Sequence, residues 1–113
     1  LYPNLYITSM VRGVPVLNDA TIDDARQIGL TDTVEVVGNG STIAGTCLED
    51  LSKEALEVVQ NADVIISKGQ GNFETLYGCG LNVYYLFMCK CTLFANRFHK
   101  NLFEGMLIND KNV

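Results

Sequence analysis

The sequence predicts an α/β protein, a three-layer Rossmann-like domain with a mainly parallel sheet. Three observations predict it. Short runs rich in β-branched and aromatic residues alternate with segments that carry helix start and stop signals. The stretch Asn82 to Cys89 is continuously apolar, as in a strand covered on both faces. Glycine-bearing polar turns follow the strands, and in an open parallel sheet the loops at the carboxyl ends of the strands are where ligands bind.

Taken in order, Leu5 to Val11 has strand composition and is broken by Arg12-Gly13-Val14-Pro15. A loop with Asn18 and Asp19 follows. Thr21 with Asp24 three residues on is a capping-box start, and Gly29 suits a helix C-terminus, which predicts a first helix over Ile22 to Ile28. Val34 to Val37 is a second strand, ended by the turn-forming run Gly38-Asn39-Gly40-Ser41. Thr42 to Asp50 reads as loop. Ser52 caps a helix to about Gln60, with Leu51 and Leu56 as a hydrophobic staple and Glu54 favourable in its first turn.

The apolar run Ala62 to Ser67 contains the third strand, Asp63 to Ser67, expected to be buried. Lys68-Gly69-Gln70-Gly71-Asn72-Phe73-Glu74 then forms a strand-to-helix turn, with Asn72 expected to cap a short helix through Tyr77. Gly78-Cys79-Gly80 stops it. The fourth strand ends at Lys90, Leu93 to Phe98 is a helical turn, and Met106 to Ile108 is a weak edge strand.

At 113 residues the chain is read as a single α/β domain over 1–113. It lacks an initial methionine and enters at once into Tyr2-Pro3-Asn4-Leu5-Tyr6-Ile7, which reads like the middle of a fold, so a piece of a larger domain is expected. Hydrophobic residues make up 48% and charged residues 19%, the balance of a folded globular protein. A formal net charge of −5 argues against nucleic acid or an anionic membrane as partner. Four cysteines, irregularly spaced, argue for reduced thiols and a cytoplasmic location; Cys89 and Cys91 read as buried hydrophobes ahead of metal or redox ligands. No apolar run is long enough to span a bilayer.

Four loops gather polar groups on one expected crest: Arg12, Asn18 and Asp19 after the first strand; Asn39 and Ser41 after the second; Lys68 through Asn72 after the third; Lys90 after the fourth. Lysine beside two glycines and a helix start is either an oxyanion site, most simply for phosphate, or only a turn. It is not a P-loop, whose lysine follows the glycines, and Glu74 stands where a dinucleotide fingerprint needs its third glycine. Asp19 either ligates a hard divalent cation or builds a turn before the helix. Glu74 either partners the helix dipole or holds Lys68 or a substrate hydroxyl. His99 reads as a surface residue, and no serine has an identifiable base.

Arg12-Gly13-Val14-Pro15-Val16-Leu17-Asn18-Asp19-Ala20-Thr21, then Asp24-Ala25, Gly29-Leu30, Lys68 to Glu74 and Lys90-Cys91 closely resemble the damage-control phosphatase family (domain of unknown function 89), in the form of its mainly prokaryotic branch. The resemblance runs from about Tyr6 to Ala95. It implies metal-dependent hydrolysis of phosphomonoesters of small phosphorylated metabolites, with Mn²⁺, Mg²⁺, Co²⁺ or Ni²⁺ as cofactor. It implies Asp19 as a metal ligand and Lys68 as the phosphate-binding lysine, with the backbone of Gly69 and Gly71 cradling the phosphoryl oxygens. Asn18 and Asn72 would touch the metal or substrate or hold groups that do, Lys90 would add a second cation, and Arg12 and Glu74 would support the site. The family's Asp-Asn ligand pair has no counterpart here, since no Asp-Asn dipeptide occurs in the chain. The implied partner is therefore an N-terminal part of the same protein. The alternative is a module that binds a phosphorylated ligand without hydrolysing it.

Overall fold

The computed structural model describes residues 4–17 and 19–112. They form two compact units. One takes in the chain up to Ala44 together with Leu48–Val59, and the other takes Gly45–Cys47 and the chain from Gln60 on.

In the first unit, β1 (Thr8–Val11) and β2 (Glu35–Gly38) pair in parallel with Thr8 opposite Glu35, and α1 (Ile22–Gln27) lies in their connection. The start of α1 is the expected capping box: Asp24 N–H donates to Thr21 Oγ1 at 3.4 Å, and Thr21 N–H donates to Asp24 Oδ2 at 2.8 Å. Gly29 follows with φ of 77°, the left-handed conformation that ends a helix. The helix α2 (Lys53–Asn61) starts at Ser52, whose Oγ accepts from Ala55 N–H at 3.1 Å. The first strand begins three residues later than its composition suggests. Leu5, Tyr6 and Ile7 stay exposed because the ladder with β2 begins only at Thr8.

In the second unit, β3 (Ile65–Lys68), β4 (Val83–Met88) and β5 (Gly105–Asn109) form one sheet in that order. The β3–β4 pair is parallel and connected through α3 (Gln70–Leu76); β5 is an antiparallel edge, and α4 (Thr92–Arg97) lies between β4 and β5 in the chain. Mixed parallel and antiparallel pairing of this kind is common where an edge strand closes an otherwise parallel sheet.

Burial corrects two expectations. Along β4, Val83, Tyr85 and Phe87 are buried while Tyr84, Leu86 and Met88 remain 38–45% exposed, so this strand is covered on one face. The third strand is likewise half-covered: Ser67 is buried, whereas Ile66, opposite Tyr84 in the ladder, is exposed. A continuous apolar run carries no period, so sequence alone cannot tell a strand buried on two faces from one buried on a single face.

The covered face is filled by aromatics around Phe73, which is fully buried on α3. Its ring stacks on Phe87 at 4.7 Å between centroids and meets Tyr85, Phe94 and Phe98 edge-on at 5.1, 5.5 and 5.7 Å. Each such pair adds about 0.5–1.5 kcal/mol beyond the buried area. Cys89 is also fully buried, its thiol 3.4 Å from Met106 Sδ, and burial raises its pKa.

At the end of the sheet where β4 begins, Asp110 ties three groups together. Its carboxylate accepts from Tyr85 Oη at 2.6 Å and from the N–H groups of Gly78 and Gly80 at 2.7 and 3.2 Å. Burial alone would raise the carboxyl pKa of Asp110, but these three donors outweigh it and hold the pKa below its usual value. Burial first, then the bond to Asp110, raise the Tyr85 phenol.

Candidate active site

The turn after β3 is set by Gly69, whose φ of 97° and ψ of 147° are open only to glycine. Its N–H donates to Leu86 O at 2.9 Å, and its carbonyl accepts from Phe73 N–H at 3.2 Å, which makes Gly69 the residue that opens α3. Asn72 is therefore not the N-cap. It sits inside the first turn, with Nδ2 donating to Lys68 O at 2.6 Å and Oδ1 accepting from Thr46 Oγ1 at 2.7 Å. Among the described residues no side chain caps the start of α3, which leaves its first N–H groups without a side-chain cap. A Cβ at Gly69 or at Gly71 would meet nothing within 4 Å, so the space over both residues is open. Lys68 is exposed and makes no ion pair among the described residues.

Thr46 also secures the turn from the other side. Its N–H donates to Thr75 Oγ1 at 2.7 Å, and Gly45 is wedged so closely that a Cβ there would come within 2.5 Å of the same oxygen. Thr42 to Asp50 reads as loop in sequence, with no periodicity of its own to announce these contacts.

Gln70 belongs to the motif read in the sequence, but its bond to the loop after β4 is long-range and had no local signal. Its Oε1 accepts from Lys90 N–H at 2.6 Å, and its Nε2 donates to Glu74 Oε1 at 2.8 Å. The structure thus brings Lys68, Gly69, Gly71, Asn72, Glu74 and Lys90 together within the second unit, around the carboxyl ends of two parallel strands. Glu74 is engaged by Gln70, four residues earlier on the helix.

In the first unit, Arg12 is buried, and its guanidinium reaches two groups: Nε donates to Asp19 Oδ2 at 3.1 Å and Nη1 to Ile43 O at 3.0 Å. The Asp19 side chain is 46% exposed, and the contact with Arg12 engages only one of its oxygens. Asn39, also buried, accepts through Oδ1 from Gly13 N–H at 3.2 Å and Ser41 N–H at 3.1 Å, so its carbonyl oxygen ties the loops after β1 and β2 together. Ser41 donates to Asp50. Asn18 lies outside the described residues. His99 is exposed, as expected.

The model of the damage-control phosphatase ARMT1-like domain matches residues 1–105. The chain belongs to this family. Within the damage-control phosphatases and their kin, it is 42% identical over 82 residues to a damage-control phosphatase of Pyrococcus horikoshii, covering 72% of this chain and 29% of that protein. It is 35% identical over 88 residues to a damage-control phosphatase of Archaeoglobus fulgidus, covering 75% of this chain and 30% of that protein. An uncharacterised protein of Methanocaldococcus jannaschii is 36% identical over 106 residues, covering 90% of this chain and 35% of its own length. The crystal structure of a domain-of-unknown-function-89 family protein from Pyrococcus horikoshii superposes with a TM-score of 0.86 at 32% identity, over 95% of this chain and 38% of that one. The chain spans about a third of the length of the curated relatives it matches.

For the metal that the damage-control phosphatase family implies, the donors in this chain fit in part. Asp19 offers a hard, exposed carboxylate oxygen with its partner oxygen steadied by Arg12. Among the described residues, no group of three or more His, Cys, Asp or Glu side chains stands together to complete a site. No helix among them is long and apolar enough to cross a membrane.

Proposed function

We propose that this chain forms the phosphate-binding part of a metal-dependent phosphatase that hydrolyses phosphomonoesters of small metabolites, sugar phosphates and damaged phosphorylated metabolites among them. The observation that carries the reading is the open turn at Lys68 to Asn72: a glycine-only conformation, a helix start with no side-chain cap, clear space over Gly69 and Gly71, and a lysine beside them that makes no ion pair among the described residues. Membership of a phosphatase family supports it.

In this reading, Lys68 and the N–H groups of the first turn of α3 bind the phosphoryl oxygens and stabilise the charge that builds on them during transfer. Lys90 adds a second positive charge from the end of β4. Asn72 holds the turn through Lys68 O and Thr46. Asp19, steadied by Arg12, would supply one oxygen ligand to Mn²⁺, Mg²⁺, Co²⁺ or Ni²⁺, and the remaining ligands would come from an N-terminal part of the same protein. When bound, the cation would polarise the phosphoryl group and lower the pKa of a coordinated water. The four cysteines are free, as suits an enzyme of the reducing cytoplasm.

The test is phosphate release from a sugar phosphate by the intact gene product. Asp19→Ala should abolish turnover with Mn²⁺ or Mg²⁺ while leaving the circular dichroism spectrum unchanged; wild-type turnover in that variant removes Asp19 from the metal site. One observation favours a second reading, a non-catalytic phosphate-binding module: the incomplete donor set of the described residues. Calorimetry with a sugar phosphate separates the two. Affinity indifferent to metal, with no turnover, supports the module; metal-coupled turnover supports the enzyme.

A further inference from the structure

Among the described residues, the amide of Gln70 is the side chain that joins the loops at the carboxyl ends of β3 and β4. It sits directly after Gly69, and both of its ends are used: Oε1 by Lys90 N–H at 2.6 Å, Nε2 by Glu74 Oε1 at 2.8 Å, with Cys91 Sγ at 3.8 Å from the same nitrogen. The neighbouring residue Cys89 is fixed by its own backbone bonds, N–H to Glu104 O at 3.0 Å and carbonyl from Phe103 N–H at 2.6 Å. Lys90 N–H instead depends on a side chain twenty residues away in sequence.

A short bond of this kind orients the backbone from which the Lys90 side chain springs. The other end of the same amide is held by Glu74, one turn further along α3, which steadies the Gln70 side chain itself.

We propose that Gln70 is a positioning residue that acts through Lys90, holding the second cation of the phosphate site in register with the Lys68 turn; this rests on the phosphatase reading above. A methionine at position 70 would keep the length of the side chain and lose both bonds. The Lys90 loop would then sample other positions, and phosphomonoesters would bind less well at an unchanged chemical step. Ground-state affinity would suffer more than turnover, because Lys90 contributes charge to the bound phosphoryl group in both states.

A double-mutant cycle on the intact gene product, with p-nitrophenyl phosphate and Mn²⁺, tests this. Gln70→Met and Lys90→Met should each raise KM about tenfold with kcat within about twofold, the size expected for one charge-assisted hydrogen bond. The double variant should be no worse than Lys90→Met alone, since one residue works through the other. Amide hydrogen exchange should show Lys90 N–H losing protection in Gln70→Met, while the amides of β4 keep theirs. Independent, multiplying effects in the cycle overturn the proposal, as does a Lys90→Met enzyme with wild-type KM. An unprotected Lys90 amide in the wild type overturns it as well. If the wild type hydrolyses no phosphomonoester, the phosphatase reading fails, and the exchange measurement alone then decides the Gln70–Lys90 link.

Discussion

Gly69 and Gly71 flank Gln70 and look equivalent in sequence, yet alanine should act on them in opposite directions. Gly71 is the second residue of α3, its φ is outside the left-handed region, and a Cβ there meets nothing within 4 Å. Alanine therefore fits without strain and replaces the poorer helix former, a gain of about 0.5–1 kcal/mol. Gly69 also has open space, but its φ of 97° admits no side chain without strain, a cost of about 1–3 kcal/mol. Thermal melts of the intact gene product should place Gly71→Ala at or above the wild type and Gly69→Ala below it. Activity should separate from stability. A phosphoryl oxygen bonded to the first N–H groups of α3 must approach to about 2.7–3.2 Å, where the new methyl group stands in its way. Losing one such charge-assisted bond costs about 1.5–3 kcal/mol, so Gly71→Ala should release phosphate about ten- to a hundredfold more slowly at low substrate concentration. A Gly71→Ala enzyme that is more stable and fully active would refute the cradle, because the open space would then have no occupant.

Two further outcomes follow from the packing of the second unit. Phe73→Ala removes the ring on which Phe87, Tyr85, Phe94 and Phe98 converge and should cost about 3–5 kcal/mol in urea unfolding, with loss of the near-ultraviolet aromatic signal. Asp110 has a folded-state pKa below its unfolded value, so its contribution is present above the unfolded value near pH 3.8 and is lost as the pH falls through the folded one. Asp110→Asn should therefore be less stable at neutral pH by about 1.5–3 kcal/mol and show a shallower decline on acidification, read from melts between about pH 2 and pH 7.

Local chemistry made much of the fold legible. The Thr21–Asp24 capping box, the Ser52 cap and the left-handed Gly29 are set by neighbours within a few residues, and all three occur as the sequence suggests. The Lys68 turn was legible for the same reason, because lysine, two glycines and a following helix are contiguous. What escaped was long-range or lacked a period. The side-chain bonds of Gln70 to Lys90 and of Thr46 to Asn72 span 20 and 26 residues, and no local pattern announces them. Asn72 has cap chemistry but lost that role to Gly69, whose backbone already closes the first turn. The exposed faces of β3 and β4 were hidden by composition: Ile66, Tyr84 and Leu86 are as apolar as the residues buried beside them. Family motifs carried the reading from an anion site to a phosphatase, a step that turn chemistry alone does not supply.

The most direct measurement is a titration of the intact gene product with inorganic phosphate, followed by amide proton–nitrogen correlation spectra. Binding at the turn predicts saturable shifts of the Gly69, Gln70, Gly71 and Asn72 amides, lost in Lys68→Ala and absent with chloride at equal ionic strength. Shifts confined to other residues, or undiminished in Lys68→Ala, would contradict it.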